Sequence, residues 1–209
     1  MNISAFSIPI KVDKLEPSVN NESLLMDINH LLKNSESCKR SGVNIYQSDF
    51  GLEKKYESFF NLKKQLSIPT KEYTKWSGVI SEVDCFDFWV NVNSTPWSYH
   101  MPHVHSFTKG LFSGVYFPKT LKSEQDDVLY KIQEHPDPGS LVLMDPNRDV
   151  KTGMAYHQKI QLYPFFGSCY CITPKESVYV LFPNYLQHIV TPTESDNIRI
   201  SIGFNIKII

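Results

Sequence analysis

Residues 198–208, IRISIGFNIKI, constrain the fold of this chain more than any other stretch. Ile198, Ile200, Ile202, Phe204, Ile206 and Ile208 share one parity, and Arg199, Ser201, Gly203, Asn205 and Lys207 share the other. Side chains along a strand alternate between two faces, so this is a strand with one apolar and one polar face. The apolar face needs a cover. The polar face, headed by Arg199, looks to solvent or into a hydrated cavity.

The first 80 residues supply candidate covers. Leu24, Leu25, Ile28, Leu31 and Leu32 recur at three-to-four spacing and predict a helix ending near Asn34. A second stripe follows Ser48-Asp49 with Leu52, Tyr56, Phe59, Phe60 and Leu66. On it Lys63 lays its stem along the apolar side with its ammonium in water. Pro69 interrupts that stripe, with a helical continuation through Tyr73 and Trp76. From Val83 onward the signal changes to short strands separated by Pro, Gly, Asn and Asp, at 86–92, 111–117, 128–133, 140–144, 168–173, 177–182, 186–191 and 198–208. About eight short strands with long connections predict a sandwich or jelly roll rather than alternating βαβ units. The chain reads as one domain over 1–209, mostly helical over 1–80 and β over 83–209, with 145–166 an extended excursion of the kind that covers binding sites.

Composition narrows the function classes. The formal net charge is −1 and the basic residues are scattered, which argues against a nucleic-acid footprint. No apolar run approaches the roughly 18 residues that span a bilayer, and MNISAFSIPIKVDKLE lacks the basic start and apolar block of a secretory signal. Cys38, Cys85, Cys169 and Cys171 form no C-x-x-C pair. Cys169 and Cys171, two apart on a strand, read as buried packing, and a reducing cytoplasm is the expected compartment.

The chemistry concentrates in YHMPHVHS, residues 99–106. His103 and His105, two apart on extended chain, leave the same side of the backbone and can converge on one ion. Imidazole suits iron, zinc, copper and nickel, but two such ligands rarely hold a catalytic metal. A third candidate is His188, 83 residues after His105, and Arg199 follows 11 residues later on its polar strand face. His100 falls on the opposite parity from His103 and reads as a residue of the mouth or of the surroundings. His30, His135 and His157 sit in a helix or polar loops and look incidental.

That order resembles the iron(II)/2-oxoglutarate-dependent oxygenases, which carry an H-x-D/E pair, a distal His and a downstream Arg or Lys. More narrowly, the chain is similar to a 2-oxoglutarate–iron(II) oxygenase family found in bacteria and their phages. FWVNVN (88–93), PHVH (102–105), SGVYF (113–117), MDPNR (144–148), VLFPNYLQHIVTP (180–192) and IRISIGFN (198–205) carry the resemblance. It implies a mainly β double-stranded β-helix, or jelly roll, supported by N-terminal α-helices. It further implies a dioxygenase using Fe(II), 2-oxoglutarate and dioxygen, which hydroxylates a substrate with release of succinate and CO2. His103, His105 and His188 would be the metal ligands, and Arg199 would pair bidentately with the far carboxylate of 2-oxoglutarate. Asn91, Asn93, Tyr116 and Asn205 are candidates for the remaining cosubstrate contacts.

One position departs from the common pattern, because His105 stands where a carboxylate is usual. It is read as a ligand; the alternatives are Asp145 supplying the carboxylate with His105 beside the site, or an open coordination position. Arg148 and Asp149 can touch substrate or form a solvated turn, and Trp97 and Tyr99 can wall the site or pack at its rim. The substrate, small molecule or protein side chain, and the oligomeric state are not readable. The rival functions are a cupin-like metalloenzyme that gives Arg199 no cosubstrate and a non-enzymatic jelly-roll binding module. The expected compartment for a phage-encoded chain is the host cytoplasm.

Overall fold

A computed structural model describes residues 7–15, 20–38, 40–105, 110–120, 136–148, 169–194 and 198–209. In chain order the described elements are β1 (Lys11–Lys14), α1 (Asn21–Asn34), β2 (Gly42–Val43), β3 (Tyr46–Gln47), a 3-10 turn (Leu52–Lys54), α2 (Glu57–Trp76), β4 (Val83–Asn93), β5 (Tyr99–His103), β6 (Phe112–Lys119), β7 (Leu141–Met144), β8 (Cys169–Ile172), β9 (Val178–Pro183), β10 (His188–Val190) and β11 (Arg199–Ile208). They form a six-stranded sheet, β1-β9-β6-β11-β4-β3, and a five-stranded sheet, β2-β5-β10-β7-β8. Every recorded pairing is antiparallel. The expected strand 128–133, most of the excursion 145–166, and His135 and His157 lie outside the described residues.

The alternation of β11 organises the larger sheet. Ile200, Ile202, Phe204 and Ile206 join one core with Leu24, Ile28 and Leu31 of α1 and Phe59, Leu62, Leu66 and Tyr73 of α2. Each fully buried side chain of this kind contributes roughly 1.5–3 kcal/mol. Asn20 caps α1, its side chain accepting from the Ser23 backbone N–H at 3.2 Å. Helix α2 starts at Glu57, later than its stripe suggests, because Leu52 belongs to the preceding 3-10 turn; it then runs unbroken through Pro69. The Lys63 ammonium pairs with Asp84 of β4 at 2.9 Å instead of standing free in water. A second core lies between the sheets, where Phe117, Val180 and Phe182 meet Leu141, Leu143, Ile172 and Leu186.

The N-terminal part is less purely helical than its sequence predicts, since β1 extends one sheet beside β9, β3 extends it beside β4, and β2 pairs with β5. Two of these strands are two residues long, below the length at which alternation is visible. Among the described residues no helix is long and apolar enough to cross a membrane.

Two β-bulges decide what faces the space between the sheets. In β4, Gly203 pairs with Trp89 and Asn205 with Phe86, so one extra residue is inserted opposite β11. Asp87 takes φ 53° there, and the Glu53 carboxylate, 5% exposed, accepts from the Asp87 and Phe88 N–H groups at 3.3 and 3.0 Å. The insertion switches parity: Val83 and Cys85 face the helices before it, Phe88, Val90 and Val92 after it. Trp89, Asn91 and Asn93 are thereby turned to the opposite face. In β5, His103 pairs with His188 and His100 with Val190, again three residues against two. Pro102 sits in this bulge, where its missing N–H forfeits no regular ladder bond.

Candidate metal centre and its cavity

His103 closes β5 and His188 opens β10, directly across the ladder from each other. His105 lies two residues beyond His103, its backbone N–H donating to the Asn184 carbonyl at 3.1 Å. The His103 and His188 ring centroids are 4.2 Å apart, His105 and His188 5.0 Å, and His103 and His105 5.6 Å. One nitrogen from each of the three lies within 4.8 Å of the others, near enough to share one ion.

The outer nitrogens are tied down. His103 Nδ1 lies 2.8 Å from the Met101 carbonyl and His188 Nδ1 lies 2.9 Å from the Leu186 carbonyl. A carbonyl only accepts, so each Nδ1 carries the proton and each Nε2 lone pair is free. For His105 a relay gives the same result. Asn184 Nδ2 donates to the Gly110 carbonyl at 2.7 Å, which leaves Asn184 Oδ1 to accept from the Ser113 hydroxyl. With its proton so committed, Ser113 Oγ accepts from His105 Nδ1–H, and His105 Nε2 is free as well. Burial also keeps the rings neutral. It holds His188 well below the ordinary imidazole range and His105 at about 4, and it lowers His103 against the opposing pull of the Met101 carbonyl. Three neutral imidazoles presenting Nε2 are a donor set that suits a divalent transition metal.

Arg199 is 1% exposed and lines the same cavity, of about 330 Å3. Its Nε donates to the Gly139 carbonyl at 2.8 Å, and Nη1 donates to Asn93 Oδ1 at 3.3 Å and Ser201 Oγ at 3.2 Å. The guanidinium stands 5.2 Å from the centre of the Phe117 ring. Burial lowers its pKa to about 10, which leaves it a cation at neutral pH. Among the described residues no carboxylate pairs with it, so its charge is met only by neutral oxygens. A buried cation in that state is costly until an anion arrives.

Other expected residues divide. Asn91 and Asn205 line the cavity, and Asn91 Oδ1 accepts from Gln47 Nε2 at 3.0 Å. Asn93 is fully buried behind Arg199, holding it rather than forming the cavity wall. Tyr116 points the other way, into the helix-side core, and donates to Asn21 Oδ1 at 2.7 Å; its neighbour Val115 lines the cavity instead. His100, read from parity as facing away from His103, is corrected by the β5 bulge: it is buried and lines the cavity beside His103. The Asp145 carboxylate accepts from the Asn147 N–H at 2.7 Å in the turn after β7, and no carboxylate joins the histidine cluster among the described residues. Arg148 belongs to the same turn, and Asp149 lies outside the described residues. Trp97 is 67% exposed, and neither it nor Tyr99 lines the cavity.

The sequence reading missed Trp89, Phe50, Arg40, Ser41 and Gln47, which complete the lining. Trp89 was accessible, two residues before Asn91 and hence on its face. The other four come from the segment before α2, where no periodicity points to them. Trp89 also explains Gly203, where a Cβ would meet the indole at 2.3 Å.

Two facing antiparallel sheets with a histidine cluster and a buried arginine between them define a double-stranded β-helix metalloprotein. The family model described as "Putative 2OG-Fe(II) oxygenase" matches residues 87–205, more than half of the chain, and the protein belongs to that family. Its cofactors are accordingly Fe(II), 2-oxoglutarate and dioxygen. No curated protein matches the sequence. Among solved structures the fold is similar to a prolyl-4-hydroxylase from Pseudomonas putida (TM-score 0.64, 11% identity, covering 97% of this chain and 94% of that one). It is also similar to HygX from Streptomyces hygroscopicus with nickel and 2-oxoglutarate bound (0.61, 9%, 96% and 83%). A third is the viral collagen prolyl hydroxylase of Paramecium bursaria Chlorella virus-1 in its 2-oxoglutarate complex (0.56, 13%, 96% and 97%). At these identities the likeness speaks for the fold.

Proposed function

We propose that the protein is a dioxygenase that hydroxylates its substrate, with His103, His105 and His188 as the Fe(II) ligands and Arg199 as the anchor for the far carboxylate of 2-oxoglutarate. The observation that carries this reading is the Arg199 guanidinium, fully buried without a carboxylate partner among the described residues, in the cavity that holds the three imidazoles. Bound iron(II) supplies the redox chemistry by which 2-oxoglutarate, dioxygen and a C–H bond become succinate, CO2 and C–OH.

The chain's own work is positional. The Met101, Leu186 and Ser113 contacts fix the imidazole orientations, while Gly139, Asn93 and Ser201 fix the guanidinium fork. Trp89, Val115, Leu141 and Val190 are apolar wall that excludes water. Asn91 and Asn205 offer amide groups to the cosubstrate. With His105 in place of a carboxylate, the centre carries one more positive charge, which favours an anionic cosubstrate. Residues 1–209 act as one domain, helical part and β-helix together. The compartment that goes with this reading is the cytoplasm.

The test is anaerobic addition of iron(II) and then 2-oxoglutarate. A visible metal-to-ligand charge-transfer band is expected, and absence of both the band and succinate formation in air counts against the reading. Arg199→Ala should weaken 2-oxoglutarate binding by about 100-fold, the loss of a charge-assisted bidentate pair. An unchanged affinity removes its assigned role.

A further inference from the structure

Among the described residues, one polar side-chain atom that borders the cavity is buried and has no hydrogen-bond partner: Nε2 of His100. Its ring is 5% exposed and lies beside that of His103, with centroids 6.0 Å apart and planes 25° apart. The other ring nitrogen, Nδ1, is 3.5 Å from Ser41 Oγ. An orphaned buried nitrogen is a standing cost of about 1–3 kcal/mol unless something meets it.

Position along the sheet says what would meet it. One row across the five-stranded sheet is His103, His188 and Leu143. The next row, across the β5 bulge, is His100, Val190 and Leu141. Two residues before Leu141 is Gly139, whose carbonyl holds Arg199 Nε. His100 therefore stands between the row that carries the metal ligands and the arginine.

We propose that His100 is a binding residue for the far carboxylate of the 2-oxo acid, its Nε2–H donating one hydrogen bond to an oxygen that Arg199 also holds. The inference rests on the role given above to Arg199. The Ser41 hydroxyl, 3.5 Å from Nδ1, can donate to it, and this is the arrangement that the proposed contact uses, with the ring proton on Nε2. The opposite tautomer would aim a lone pair at an anion, which only accepts. The β5 bulge is what makes this contact possible, since regular alternation would send His100 and His103 to opposite faces.

The experiment titrates two 2-oxo acids into the anaerobic Fe(II)-loaded protein and reads dissociation constants from the charge-transfer band. They are 2-oxoglutarate and 2-oxopentanoate, which has the same chelating end and no far carboxylate. His100→Leu is expected to weaken 2-oxoglutarate by about tenfold or more and leave 2-oxopentanoate within about twofold. His100→Gln, which keeps a donor near the same place, should recover most of the loss. If His100→Leu does not fold, Ser41→Ala provides the second arm, with a loss of about threefold expected for 2-oxoglutarate alone. Equal effects on both acids, or no effect on either, overturn the proposal and leave the wider reading standing. A wild-type protein that binds iron but gives no band with either acid overturns both.

Discussion

The six-stranded sheet carries strands of 11, 8 and 10 residues through its middle, β4, β6 and β11, and rests on two helices. The five-stranded sheet is made of strands of two to five residues, yet β5 and β10 supply His103 and His188, with His105 two residues past the end of β5. Stability and chemistry are thus drawn from different sheets. Long strands with one face sealed by α1 and α2 give a stiff reference surface, and Arg199, the group that must wait charged and buried, is built on it. The proposed metal ligands come from short strands and their ends, where a bulge and a proline can aim side chains without disturbing a long ladder.

Substitutions at the two sheets should therefore fail in different ways. His103→Ala or His188→Ala should abolish Fe(II) binding and turnover while leaving the thermal midpoint of the metal-free protein close to wild type. Metal titration with calorimetry and a melting curve check both halves, and a collapsed melt would show that the ligands also hold the fold. Phe204→Ala removes a ring stacked on Phe88 at 5.0 Å and should cost about 3–5 kcal/mol in urea denaturation. The fraction that remains folded should keep its metal affinity. The smallest effect is one of pH. Burial lowers His100 to about 3 and His105 to about 4, so between those values and 6.5 the unfolded chain binds protons that the folded chain does not. Stability of the metal-free protein is then full above pH 6.5 and is lost as pH falls toward 4, by at most about 1.4 kcal/mol per pH unit for each such histidine. Denaturation curves at several pH values should show this slope, and His100→Leu should reduce it by one histidine's share.

Much of this was legible in the sequence, and the boundary has physical causes. The alternation of β11 separated its helix-facing residues from Arg199, because a strand buried on both sides must keep its two faces chemically distinct. The i, i+2 pair His103 and His105 does bring both rings to one cluster in the structure. Strict alternation in SGVYF places Ser113 and Val115 opposite Tyr116, which is where they lie. The strands of two residues were not legible, because a pattern needs more than one repeat to be seen. The facing of His100 was hidden by an inserted residue, although a proline inside a strand is a local hint of one. Arg40, Ser41, Gln47 and Phe50 reach the cavity through tertiary placement of an irregular segment, and no local pattern encodes that.

The bulge at Asp87 acts on β4 as a frameshift acts on a message. Upstream, odd-numbered residues belong to the helix-side core; downstream, even-numbered ones do. Straightening the bulge with every residue kept would bring Trp89, Asn91 and Asn93 into the place of Phe88, Val90 and Val92, setting two amides against α2 and an apolar wall behind Arg199. Deleting Asp87 together with the bulge would instead leave each side chain on its present face. The bulged backbone of this strand therefore matters as much as its residues, and it is held from outside the sheet by the carboxylate of Glu53.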